Sequence, residues 1–323
     1  MDVVRFPYFR GPTIDDVMRN VIEDLLLHGD KVVATKGSFV ELVGVLLELE
    51  NPRARLSRTE TRGKPFSCLG ELCWYLAGSN NLDFISYYLP KYEEFAEGGS
   101  LFGAYGPRLL AWEGTNQVSN VTSLLRKKPT TRQAVIQIFD REDIIGDHKD
   151  VACTCTLQFM VRGEALQMFT TMRSNDVFLG LPHDMFSFTM LQEIIASDLS
   201  IEVGNYKHAV GSLHLYDTAI DAAREFLNEG WQSTQSPMPP MPLGDPWLGI
   251  SSLLKAESDI RTGGGIDARG LDEINPYWAD LIRLLQVLRF KRDEDPHEIE
   301  AIRGRMSSEV YRPFIDKVLS QIQ

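Results

Sequence analysis

The chain has 323 residues, 43% apolar and 24% charged, with a net charge of −12, proportions ordinary for a soluble folded protein. The acidic balance and the absence of a basic stripe exclude a general nucleic-acid or anionic-membrane binder, and no apolar run reaches membrane-spanning length. The opening MDVVRFPYFRGPT has neither a basic n-region nor an apolar core, so no secretory leader is expected. The four cysteines read as free thiols in a reducing cytoplasm.

Thr13 to His28 carries an amphipathic helix, with Thr13 as cap, Asp16 in the first turn, an apolar stripe from Ile14 to Leu26, and Gly29 as its end. Lys31–Phe39 reads as strand, loop, strand around Lys36-Gly37, and Val40–Leu49 as a long apolar strand. Ser67–Ala77 reads as a buried helix closed by Gly78, and Arg132–Phe139 as a strand.

The stretch Val151–Asp184 then places a cysteine on a strand, a hairpin at Arg162-Gly163-Glu164, an Arg-Ser pair and a Gly-Leu-Pro turn leading into a helix. Asp184 falls at that helix start and could cap it. Beyond Tyr216 come a proline-rich loop (235–247), a glycine run (262–265) and a helix begun by Asn275-Pro276. A last helical stretch, Glu298–Ile322, has Pro313 as an expected kink.

Cys153 and Cys155 share one face of an ideal strand, so a metal half-site competes with a nucleophile. Cys68 and Cys73, five apart on a helix, are poor partners for zinc, and no metal is expected. The order of motifs decides in favour of chemistry. Ala-Cys153-Thr-Cys-Thr-Leu-Gln158-Phe159, Met-Arg173-Ser174-Asn-Asp176 and Gly180-Leu-Pro182-His183-Asp184 resemble the nucleophile strand, phosphate motif and base-reading turn of thymidylate synthases. Helix residues around Glu71, the Leu101–Gly106 turn with Tyr105, the Arg132 strand and Gly211-Ser-Leu-His214-Leu-Tyr216 fit the same order.

The resemblance implies an α/β (α+β) fold, a mixed sheet flanked by helices. The chain is read as one domain over 1–323, with a core of about 13–235 and a divergent helical extension of about 236–323. It implies Cys153 as nucleophile at pyrimidine C6, assisted by Arg173, and Glu71 as organiser of water and protons. Lys36, Arg132, Arg173 and Ser174 would hold a nucleotide phosphate, and His214 and Tyr216 the sugar. Asp176, Gly180 and Tyr105 would serve 5,10-methylenetetrahydrofolate, the one-carbon donor. Arg132 would reach across a homodimer.

The departures are informative. Gln133 stands for a second arginine, Lys36 for another, Thr154 for the motif histidine, and Asp184 for an asparagine that reads uracil. An acid can donate to cytosine N3 and accept from its amino group, so the expected activity is C5-hydroxymethylation of CMP or dCMP. The alternatives are C5-methylation of dCMP or dUMP, or nucleotide binding without catalysis.

Overall fold

A computed structural model describes residues 6–34, 37–264 and 270–322, so Lys36 and the last residue of the glycine run, Gly265, lie outside the described residues. β1 (Tyr8–Gly11) leads into α1 (Ile14–His28), whose capping box forms as expected: Thr13 Oγ1 accepts from Asp16 N, and Asp16 Oδ2 accepts from Thr13 N. Its stripe of Ile14, Val17, Met18, Val21, Ile22 and Leu25 is buried. β2 (Asp30–Ala34) and β3 (Gly37–Leu49) follow as an antiparallel pair.

α2 (Pro65–Leu76), α3 (Leu82–Ser86), α4 (Tyr105–Leu110) and α5 (Gln117–Lys127) come before β4, which spans only Val135–Gln137. The strand expected over Arg132–Phe139 is shortened for a local reason. The pairing of β4's neighbour slips at Cys155, whose carbonyl takes both Ile138 N and Phe139 N, at 2.9 and 3.3 Å.

β5 (Thr154–Arg162) and β6 (Ala165–Asp176) form the expected hairpin, with Arg162 opposite Ala165 and Gly163 in the left-handed region the turn needs (φ 63°). α6 (Leu181–Asp198) and β7 (Glu202–Tyr216) complete the core. The described strands make one mixed seven-stranded sheet in the order β1-β3-β7-β6-β5-β4, with β2 also on β3. β1 runs parallel to β3 and β6 to β7; the other pairs are antiparallel. On β6 the buried residues alternate through Leu166, Met168, Thr170 and Met172, and α6 packs against β6 and β7.

α7 (Ile220–Asn228) precedes the proline-rich segment, which is bonded to the core through Met238 N to Arg53 O (2.8 Å) and Met241 N to Glu193 Oε1 (3.1 Å). The extension continues as α8 (Trp247–Thr262), α9 (Pro276–Arg292), α10 (Pro296–Arg305) and α11 (Arg312–Ile322). The expected continuous helix with a kink at Pro313 is instead two helices. The break is held by Asp280, whose carboxylate accepts from Ser307 N and Ser308 N at 3.0 and 2.8 Å. Pro313 stands in the first turn of α11, where its missing N–H is not needed. α8 and α9 pack on α2, and Tyr88 Oη donates to Glu257 Oε1 of α8 at 2.8 Å. Among the described residues no helix is long and apolar enough to cross a membrane.

Candidate active site

The sheet register gathers most of the expected residues at one end. Arg173 N donates to Cys153 O (2.9 Å), which places the cysteine beside the arginine across the β5–β6 boundary. In the parallel β6–β7 pair, Ser174 lies opposite Ser212 and Asp176 opposite His214. Gly211 allows this approach, because a Cβ there would meet Arg173 O at 2.8 Å.

Cys153 is half-buried. Arg173 donates from Nε to Ala152 O (3.0 Å) and from Nη2 to Val151 O (2.9 Å), and Nη2 also lies 3.5 Å from Cys153 Sγ. The guanidinium is thus fixed by backbone carbonyls while it favours the thiolate. Among the described residues its Nη1 makes no hydrogen bond within the chain, which leaves a donor for an anion.

Tyr105 Oη accepts from Thr154 N (3.2 Å), and its ring packs on Tyr75, with centroids 5.2 Å apart, so it braces the cysteine strand from behind. His214 sits between Phe39 and Tyr216, with ring centroids 5.1 and 5.0 Å away. Asp176 Oδ1 accepts from Phe178 N and Leu179 N at 2.8 and 2.9 Å, tying the turn before α6 and leaving its other oxygen. Gly180 heads α6; a Cβ there would meet Asn175 Oδ1 at 2.8 Å.

Asp184 does not cap α6. The helix starts at Leu181, and no side chain caps it. Asp184 is instead buried, and that burial, with the Glu71 carboxylate nearby, pushes its carboxyl up to about 8. His183 and the Asn175 amide pull the other way without cancelling this.

Glu71, buried on α2, has both oxygens engaged: Tyr92 Oη donates to Oε1 at 2.6 Å, and His183 Nδ1 lies 2.9 Å from Oε2. Burial alone would press the His183 imidazole down; Cys68 and Glu71 outweigh it and carry it up to about 10. Behind Asp184, Asn175 Nδ2 donates to His208 Nε2 (3.4 Å), whose Nδ1 meets Tyr206 Oη (2.8 Å). His208 is wholly buried and held neutral, pushed down to about 3.

Arg132 is not at this end. It is exposed, and its carbonyl accepts from Gln158 Nε2 (2.9 Å), five residues along β5 from Cys153 and so roughly 16 Å away at about 3.3 Å per residue. Among the described residues no three His, Cys, Asp or Glu side chains gather as a metal site would require.

From sequence, His183 and His208 had no expected role, and Asn175 was expected only beside the sugar 2′ carbon. The one available signal was the histidine between the Gly-Leu-Pro turn and Asp184. Asn175 on β6 and His208 on β7 look unremarkable until the side-chain hydrogen bond between them is seen.

The thymidylate synthase family pattern matches residues 19–246, most of the chain, from within α1 through β7. The chain belongs to the thymidylate synthase family. Within it, one similar protein is the "Deoxyuridylate hydroxymethyltransferase" of Bacillus phage SP01, 30% identical over 224 residues, or 64% of this chain and 58% of the phage protein. The chain therefore spans less than two thirds of that relative's length. The mixed sheet and its flanking helices are those the motifs implied. The thymidylate synthase pattern stops at 246, at the start of α8, so the helical extension lies outside it.

Proposed function

We propose that this chain transfers a one-carbon unit to C5 of a pyrimidine nucleoside monophosphate, leaves it as a hydroxymethyl group, and prefers a cytidine 5′-monophosphate. The observation that carries the base choice is Asp184: a buried acid held protonated near neutral pH where the family has an amide. A buried carboxyl donates to cytosine N3, a basic acceptor that can also take the proton outright, and accepts from the 4-amino group; uracil N3 carries a hydrogen and offers no such acceptor.

In this reading the Cys153 thiolate, beside Arg173, adds to C6, and the electron pair displaced from the 5,6-double bond makes C5 nucleophilic. 5,10-Methylenetetrahydrofolate supplies the carbon at the methylene level. Asp176 and Gly180 would hold it, with Tyr105 bracing the strand behind; the buried Arg62 Nε, without a partner among the described residues, supports a polar group beside Asp176. Glu71 takes the proton that leaves C5. With that proton gone, tetrahydrofolate would leave as the C5 methylene breaks its bond to the folate nitrogen; water would then add to the exocyclic methylene, and expulsion of the Cys153 thiolate from C6 would restore the 5,6-double bond and give the hydroxymethyl product. Arg173 Nη1 and Ser174 would bind phosphate, and His214 and Tyr216 the sugar. The distance of Arg132 from its own Cys153 favours a homodimer in which Arg132 serves the partner's site.

A second reading has an observation of its own. The phage relative is named for deoxyuridylate, and a neutral acid can also accept from uracil N3–H and donate to O4. Incubation with CMP, dCMP or dUMP and methylenetetrahydrofolate, followed by product mass, separates these. A gain of about 30 Da (CH2O) on a cytidylate supports the proposal, the same gain on dUMP alone supports the second reading, and a gain of about 14 Da (CH2) means methylation.

A further inference from the structure

Glu71 on α2 and Asp184 on α6 are buried in one region, and acids so placed do not readily ionise together. Their surroundings differ. Glu71 receives Tyr92 Oη on one oxygen and His183 Nδ1 on the other, at 2.6 and 2.9 Å. Asp184 has the Asn175 amide, and among the described residues no hydrogen bond joins it to the neighbouring imidazole. Consecutive helical residues point about 100° apart, so His183 turns toward α2 while Asp184 does not follow it. The other imidazole nitrogen, Nε2, lies 3.5 Å from Ser67 Oγ at the half-buried edge of α2.

We infer that His183 is a positioning residue that assigns the site's negative charge to Glu71 and so leaves Asp184 protonated. One acid is thereby kept as the base and the other as the reader of the nucleobase. This rests on the proposed reaction for its consequence, but the charge assignment is a property of the free protein. The groups facing the imidazole are Cys68 and Glu71 from α2, Asp184 from α6, and, across Glu71, Tyr92 from the turn at Pro90–Phe95; Tyr75 and Tyr105 lie on the Asp184 side. Without the imidazolium, Glu71 Oε2 loses its cationic partner and the two buried acids face each other with nothing to separate their roles.

The test has two arms. In the first, kcat/KM for C5 tritium release is followed from pH 5 to 9 in the wild type, His183→Gln and His183→Phe. Glutamine keeps an N–H donor without charge, so the acid limb should move up by about one pH unit or more in both variants. An unmoved limb in His183→Phe, or a wild-type limb restored by glutamine, overturns the charge assignment.

The second arm needs neither turnover nor a His183 variant that folds. The His183 ring is followed by 15N NMR in the wild type and in Glu71→Gln. The wild-type imidazolium should persist above about pH 8 and lose its proton at lower pH once Glu71 is neutral, with Cys68 kept in both proteins. Equal titration in the two proteins overturns the inference. Should no nucleotide release tritium, the reaction fails while this arm still decides the charge.

Discussion

Arg173 Nη2 lies 3.5 Å from Cys153 Sγ, while the same guanidinium grips the carbonyls of Ala152 and Val151. The cation is held by the strand that carries the thiol, so it is in place before any substrate arrives. Arg173→Ala should slow alkylation of Cys153 by iodoacetamide at pH 7 about tenfold, an effect of one thiolate-favouring charge. Peptide mapping of the alkylated cysteine gives the rate. Equal rates in the two proteins would remove Arg173 from activation of the thiol.

Asp184 makes stability depend on pH in a defined direction. Its folded carboxyl is held near 8, against about 4 in the unfolded chain. Below about pH 4 both states keep the proton and no penalty arises. Between about 4 and 8 the unfolded chain releases it and the folded one does not, so folding weakens by up to about 1.4 kcal/mol per pH unit. Asp184→Asn should flatten that slope and be the more stable protein at pH 7.5 relative to pH 5, by urea unfolding. Parallel curves for the two proteins would mean the acid ionises at its ordinary value.

Most of the fold was legible in residue order. The Thr13/Asp16 capping box, the Gly163 hairpin and the Asn275-Pro276 start are local signals, and local physics decided them. The errors lie where distant parts meet. Asp280 on α9 breaks the last helix, and the slip at Cys155 shortens β4. Asp184 looked like a cap because caps are read from a helix boundary, which stands three residues earlier. The motifs named residues that the fold gathers at one end of the sheet, but the partner of Glu71 was not legible: His183 is 112 residues away in sequence, and only the packing of α6 on α2 brings them together.

The helical extension is expected to fold with the core. Arg58 Nη1 donates to Val310 O (3.0 Å), and a Cβ on Gly249 would come within 2.2 Å of Trp278 Nε1, so α8 and α9 are pressed together against α2. Gly249→Ala should cost about 1–3 kcal/mol by overpacking, and removal of 236–323 should leave an insoluble or unfolded core. A truncated chain that melts cooperatively at the full-length temperature would show the extension to be separate.

Arg132 offers a test of the shared site. Arg132→Ala and Cys153→Ala proteins should each be inactive or nearly so. Unfolded together and refolded at equal ratio, they should recover activity at about a quarter of the sites, because half of the dimers hold one intact site of two. No recovery, with dimers present by sedimentation, would place Arg132 at its own subunit's site or at none.

Cys153 is proposed to attack a pyrimidine whose identity Asp184 reads. The direct measurement is tritium release from C5 of labelled CMP, dCMP and dUMP with methylenetetrahydrofolate, in the wild type, Cys153→Ala and Asp184→Asn. The account predicts release from a cytidylate, abolished by Cys153→Ala and moved toward dUMP by Asp184→Asn. Release from dUMP alone, indifferent to the Asp184 substitution, would contradict it.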